Sequence, residues 1–110
     1  MQNSKQPEPN NEPACIKAFE VFGDGWRLKI VDALRNGELR FKELQELLGI
    51  NSATLTTKLK TLEEMGMIIR NEETINKLSV TYCLSKLGKE SLPVVDSMFN
   101  FGKKLLKKQA

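Results

Sequence analysis

Residues Phe41–Arg70 read FKELQELLGINSATLTTKLKTLEEMGMIIR, and their pattern decides how the chain folds. The first part places Phe41, Leu44, Leu47 and Leu48 at spacings of three and four, on one face of a helix. Gly49 then supplies the residue that helix C-termini favour, since glycine enters the left-handed backbone region without a steric penalty. Asn51 or Ser52 can open a second helix by accepting a bond from an otherwise unpaired backbone N–H. That helix sets Leu55, Leu59 and Leu62 on one side and closes at Gly66. Its other side shows Ser52, Ala53, Thr56, Thr57 and Lys60, and Met67 to Arg70 follow as a strand.

Two helices joined by a short glycine turn, the second apolar inward and polar outward, form the helix-turn-helix pattern that enters the DNA major groove. The expectation is a DNA-binding regulator of transcription. No acidic residue occurs from Asn51 to Leu62, so that face does not repel phosphate. Helix geometry aims Ser52, Ala53, Thr56 and Thr57 at base edges and gives Lys58, Lys60 and Arg40 to phosphates. Asn51 and Thr54 complete the candidate contacts on this helix. Threonine methyls can meet thymine methyls and hydroxyls can bond several bases, so the expected code is permissive.

The flanks fit around this unit. Residues 1–12 (MQNSKQPEPNNE) hold almost nothing to bury and are expected to be a disordered lead-in to a domain spanning 13–110. Ile16 and Phe19 mark a short amphipathic helix ended by Gly23. Trp26, Ile30, Val31 and Leu34 mark another, ended by Asn36-Gly37, with Leu39-Arg40 as a very short strand. In LSVTYCL (78–84) Leu78, Val80, Tyr82 and Leu84 alternate with polar residues, the period of a half-buried strand. The intervening NEETINK makes a polar hairpin tip with Asn76 and Lys77 as candidate DNA contacts, and a hairpin behind a recognition helix is a wing. Ser85 caps a last long helix bearing Leu87, Leu92, Val95, Met98 or Phe99, and Leu105 or Leu106. Pro93 predicts a kink or restart of that helix near Glu90–Ser91. The fold class is mainly α with a small β-hairpin, a winged helix-turn-helix.

Composition excludes more than it selects. At 110 residues the chain supports one modest core, of the size that pairing with a second copy often completes. The net charge of +3 permits nucleic-acid binding without requiring it. Histidine is absent, which removes the commonest general base and metal ligand. No enzyme activity, catalytic residue, metal or cofactor is expected. Neither a membrane-length apolar run nor a signal peptide is visible, so a cytoplasmic protein without a membrane partner is expected. The lysines of FGKKLLKK read as a solvated helix end.

Cys15 and Cys83 fit neither a zinc spacing nor a disulfide framework. Cys83 falls on the strand face opposite Tyr82 and Leu84 and reads as passive. Cys15 reads either as a small hydrophobe or as a thiolate activated by a helix N-terminus and Lys17. Trp26 reads as a packing anchor, or as one wall of an apolar effector pocket with Phe19 and the last helix.

An ordered set of residues resembles the HxlR-type winged helix-turn-helix regulators, a MarR-like group. The set comprises Cys15, Gly23 to Trp26, Arg40-Phe41-Lys42-Glu43-Leu44, Gly49-Ile50, Leu55-Thr56, Leu59-Lys60, Leu62-Glu63, Gly66, Val80 to Leu84 and Gly88 to Val95. The resemblance implies a homodimeric transcription factor, dimerising through its N- and C-terminal helices and reading double-stranded DNA at a near-palindromic operator. Several members of that group sense oxidants, quinones or aldehydes through a single first-helix cysteine, at the place of Cys15. Repression by competition with polymerase is the expected mode, with activation as the alternative. The chain departs from the pattern at Gly25, where a lysine is usual, at Ile16, where proline is common, and at Lys77-Leu78-Ser79, where a Pro-Pro-Arg or Pro-Pro-Lys run is usual. Two other readings fit the same residues. One is a winged-helix protein-interaction module without DNA binding; the other is a regulator answering a small apolar effector rather than oxidants.

Overall fold

The computed structural model describes residues 12–73 and 79–109. The expected lead-in over residues 1–11 and the hairpin-tip residues Asn76 and Lys77 lie outside the described residues. Glu12, expected to belong to the lead-in, opens the first helix instead. In chain order the elements are α1 (Glu12–Phe22), α2 (Gly25–Ala33), β1 (Leu39–Arg40), α3 (Phe41–Leu48) and α4 (Ser52–Glu64). The chain then continues with β2 (Ile68–Glu72), β3 (Val80–Leu84), α5 (Lys86–Glu90) and α6 (Leu92–Gln109).

The leucine spacing places the core. Ile30, Val31 and Leu34 of α2, Leu44 of α3, Ile50 of the turn, and Leu55, Leu59 and Leu62 of α4 are buried together. Met67, Ile68, Tyr82 and Leu84 close one side of this cluster and Val95 of α6 another. No polar or charged residue is buried among the described residues. Leu47, expected on the inner face of α3, is instead 64% exposed, because the eight residues of α3 turn only Leu44 fully inward.

The wing is broader than a hairpin. β2 and β3 pair antiparallel with Ile68 opposite Leu84 and Glu72 opposite Val80, and β1 adds to the far edge of β3 with Leu39 opposite Tyr82. The sheet order is therefore β1-β3-β2, and the two residues before α3 tie the wing to the helix-turn-helix.

Gly88 fixes how the chain leaves the wing. Ser85 caps α5 by accepting from Gly88 N–H at 3.0 Å, and its own hydroxyl donates to the Gly66 carbonyl at 2.6 Å. A Cβ on Gly88 would lie 2.2 Å from the Met67 carbonyl oxygen, a contact that only glycine avoids. Gly88→Ala is expected to destabilise the fold by about 1–3 kcal/mol, read as a lower urea midpoint at constant slope. Leu87, beside it, is 52% exposed.

The last helix restarts where Pro93 predicts. Ser91 separates α5 from α6, and its carbonyl accepts from Val94 and Val95 N–H. Pro93 then sits in the first turn of α6, where a missing N–H leaves no acceptor unpaired. Arg35, just past α2, holds α6 by bonding Asp96 at 2.6 Å and Asp32 at 2.8 Å. Beyond Val95, α6 leaves the core, and Phe101, Leu105 and Leu106 are exposed. Nothing in α1 is buried either, and Phe19 is 72% exposed.

Candidate nucleic-acid interface

Three leucines set the orientation of α4. Leu55, Leu59 and Leu62 are at most 2% exposed, so the opposite face, with Ser52, Ala53, Thr56, Thr57 and Lys60, points to solvent. Asn51 is the cap: its Oδ1 accepts from Thr54 N–H at 2.8 Å. The exposed amide of Asn51 thus flanks the helix start, whereas Thr54 is half-buried and stands off the outer face.

The threonines are more committed than the sequence suggests. Thr56 Oγ1 donates to the Ser52 carbonyl at 2.8 Å, and Thr57 Oγ1 donates to the Ala53 carbonyl at 3.1 Å. Their hydroxyl protons therefore point into the helix, a common arrangement for helical threonine. What faces outward is methyl surface and oxygen lone pairs. Groups of that kind are chemically suited to thymine methyls and to the amino groups of adenine or cytosine.

The cations divide. Lys60 is exposed and makes no ion pair among the described residues. Lys58, expected on a phosphate, is only 21% exposed and bonds Asp24 at the start of α2. Position 58 lies three residues past Leu55 and four before Leu62, so it sits at the edge of the buried face and not on the outer one. The expectation for Lys58 is corrected on that ground. Arg40 is exposed, and its backbone N–H donates to Glu43 Oε1 at 2.8 Å, opening α3.

Arg40 borders a polar hollow at the wing base, lined by Glu38, Asn71, Glu72, Glu73, Ser79 and Thr81. Asn71 and Thr81 both donate to Glu38 Oε2, at 3.3 and 3.4 Å. Three carboxylates line the wing base beside Arg40, whereas exposed Lys60 and the N-terminus of α4 carry positive charge with no carboxylate bonded to them among the described residues. The sequence signals Glu72 and Glu73 but not Glu38, whose approach depends on the β1–β3 register.

Asp24 is the ionisable group whose environment matters most. The Lys58 bond holds its carboxyl below the ordinary value of 3.8, burial opposes this, and the Arg27 and Trp26 backbone bonds assist it. A carboxyl with a folded-state value below its unfolded one adds stability above the unfolded value and loses it as pH falls through the folded one. Asp24→Asn should therefore melt below the parent near neutral pH, with the gap closing as the solution is acidified below that ordinary value. Parallel thermal melts across pH check this; a gap independent of pH would contradict it.

The remaining candidates sit elsewhere. Cys15 is exposed on α1, and Cys83 is half-buried with its Sγ accepting from Asn71 Nδ2 at 3.5 Å. Trp26 is half-buried, with Lys29 Nζ 4.9 Å from its ring centroid. An apolar hollow of about 290 Å³ lies beside α1, walled by Val21, Phe22, Met67, Leu87 and Val94; neither Trp26 nor Phe19, the alternative pocket walls, lines it.

Helix, glycine turn, capped helix and antiparallel wing define a winged helix-turn-helix. The chain matches the HxlR-like helix-turn-helix family over residues 21–110 and belongs to that family. An HTH-type transcriptional regulator of Methanothermobacter thermautotrophicus is 32% identical over 87 residues, 78% of this chain and 66% of the relative's length. A structure from Porphyromonas gingivalis W83, assigned to the MarR family, superposes with a TM-score of 0.78 at 27% identity. It covers 89% of this chain and 97% of its own. Quinone-bound YodB from Bacillus subtilis superposes with a TM-score of 0.70 at 27% identity, covering 84% and 98% respectively.

Proposed function

We propose that the chain is a sequence-specific DNA-binding transcriptional regulator that acts as a homodimer, most simply a repressor covering a near-palindromic operator. The observation that carries this reading is the outer face of α4 from Ser52 to Lys60: small, hydroxylated, acid-free and held outward by buried leucines. Exposed Ile16 and Phe19 on α1 and Phe101, Leu105 and Leu106 on α6 offer apolar surface for a second copy. Two recognition helices about 34–36 Å apart would then meet successive turns of DNA. A gel shift against the DNA upstream of the chain's own gene tests the reading. A discrete complex that survives competitor DNA is expected, and smearing that competitor abolishes would contradict it.

Lys60 serves a phosphate in this arrangement. Lys60→Ala should weaken binding on all sequences alike and flatten the salt dependence by about one charge. A change confined to one base preference would place Lys60 on a base instead.

The signal acts through Cys15. Quinone binding by YodB and the exposure of Cys15 on a helix with unfilled apolar neighbours support an oxidant or electrophile response. A thiolate that adds to a ring C–H carbon of the quinone forms a thioether; that carbon then loses its hydrogen as a proton, and both ring oxygens end protonated, with one net proton taken from solvent, to give the hydroquinone. Operator release by benzoquinone in the parent, lost in Cys15→Ser, is the expected outcome. Release unchanged in Cys15→Ser would assign the response to another group. A second reading, an apolar effector, is favoured by the hollow walled by Val21, Phe22, Met67, Leu87 and Val94.

A further inference from the structure

Contacts from α2 and α4 converge on one carboxylate, and Arg27 extends the cluster to α1. Asp24 Oδ1 accepts from the backbone N–H of Trp26 at 2.8 Å and of Arg27 at 3.1 Å, capping α2. Its Oδ2 accepts from Lys58 Nζ of α4 and lies 3.6 Å from the Arg27 guanidinium. Arg27 also donates Nε to the Val21 carbonyl at 2.9 Å and a terminal nitrogen to the Glu20 carbonyl at 2.6 Å. Those carbonyls belong to the last turn of α1, where a helix leaves acceptors without intrahelical partners. The side chains of Asp24, Arg27 and Lys58 are 23%, 17% and 21% exposed, so water competes with these bonds less than at an open surface.

Leucine packing sets how deep α4 sits but is tolerant of small rotations, whereas a bond between charged groups has a direction. We propose that Asp24 is a positioning residue for the DNA-reading helix: through Lys58 it sets the orientation of α4, and through Arg27 it ties that setting to the end of α1. This rests on the reading of α4 as the helix that enters DNA. Displacement of α1, the helix that carries Cys15, is then felt at the recognition surface. Asp24 also withholds Lys58 from phosphate, which lowers binding to random sequence and so sharpens discrimination. The sequence gap of thirty-four residues between Asp24 and Lys58 makes the pairing a property of the fold.

The test uses the full chain with Asp24→Asn, Lys58→Met and the double substitution. Asparagine caps helices about as well as aspartate, so the cap on α2 survives while the ion pair is lost, and circular dichroism melts verify folding. Fluorescence anisotropy against a selected duplex and a random duplex, over a range of salt, reads the effect. Asp24→Asn should lower the preference for the selected duplex about tenfold, a typical coupling for directly bonded residues. It should also steepen the salt slope by about one as Lys58 becomes free to meet phosphate. Lys58→Met should lower the preference similarly without steepening the slope, and the double substitution should be no worse than Lys58→Met. A folded Asp24→Asn chain with the parental preference overturns the proposal, and so do losses that simply add in the double variant.

Amide hydrogen exchange on the same proteins without DNA gives an independent arm. Asp24→Asn should speed exchange in the last turn of α1 and the first turns of α4 together. Faster exchange confined to α2 overturns the coupling. A parent chain that prefers no duplex contradicts the DNA reading alone, and the exchange arm then decides the coupling by itself.

Discussion

Thr57→Glu is expected to abolish specific DNA binding, with a loss of at least about 100-fold at moderate salt. Thr57 lies on the outer face of α4 between Ala53 and Lys60, where the sequence keeps every acid away. A carboxylate there would face phosphate across a narrow gap, and like charges brought together at an interface cost several kcal/mol. At about 1.4 kcal/mol per factor of ten, a penalty near 3 kcal/mol gives the stated loss. The substitution should leave folding nearly intact, because exposed positions usually shift stability by less than about 0.5 kcal/mol. Anisotropy titration together with a thermal melt separates the two effects. A variant that melts like the parent and still binds the same duplex would remove α4 from the groove.

Leu59→Ala should have the largest effect on stability. Leu59 is 2% exposed and shares a cluster with Leu55, Leu62, Ile30 and Leu44, so truncation leaves a cavity that helices on several sides must span. Losses of about 2–5 kcal/mol are usual for such a change, against a total stability of about 5–15 kcal/mol for a domain. The position also fixes which face of α4 is outside, so the variant should lose DNA binding beyond what its unfolded fraction explains. Urea unfolding at one fixed protein concentration reads the stability, since pairing of chains would make the midpoint depend on concentration. A shift below about 1 kcal/mol would mean that α4 is not anchored by its leucines.

Much of this architecture is legible in the sequence because it follows from short-range spacing. Leu55, Leu59 and Leu62 announce the buried face of α4, Gly49 announces the turn, and alternation over Val80 to Leu84 announces β3. Pro93 announces the restart of α6. What escapes the sequence depends on partners distant in the chain. Lys58 looks like a phosphate contact until the start of α2 brings Asp24 to it. Leu47 looks like a core residue, yet on α3 only Leu44 turns fully inward and Leu47 stays exposed. β1 is foreseen as a strand but not as the third member of the wing sheet, since two residues carry no register. Glu38 becomes part of an acidic wing base through that same pairing. The candidate contacts on α4 are readable as a face, but the inward hydroxyl bonds of Thr56 and Thr57 are not, because they are choices of side-chain rotamer.

The central claim is that the outer face of α4 enters the DNA major groove. Its most direct test is an amide chemical-shift map of the chain titrated with a duplex selected by the chain from random sequence. The largest changes are expected from Asn51 through Lys60, with α1 and the distal half of α6 little affected. Changes concentrated on α6, or on the carboxylate-lined wing base with α4 silent, would contradict it.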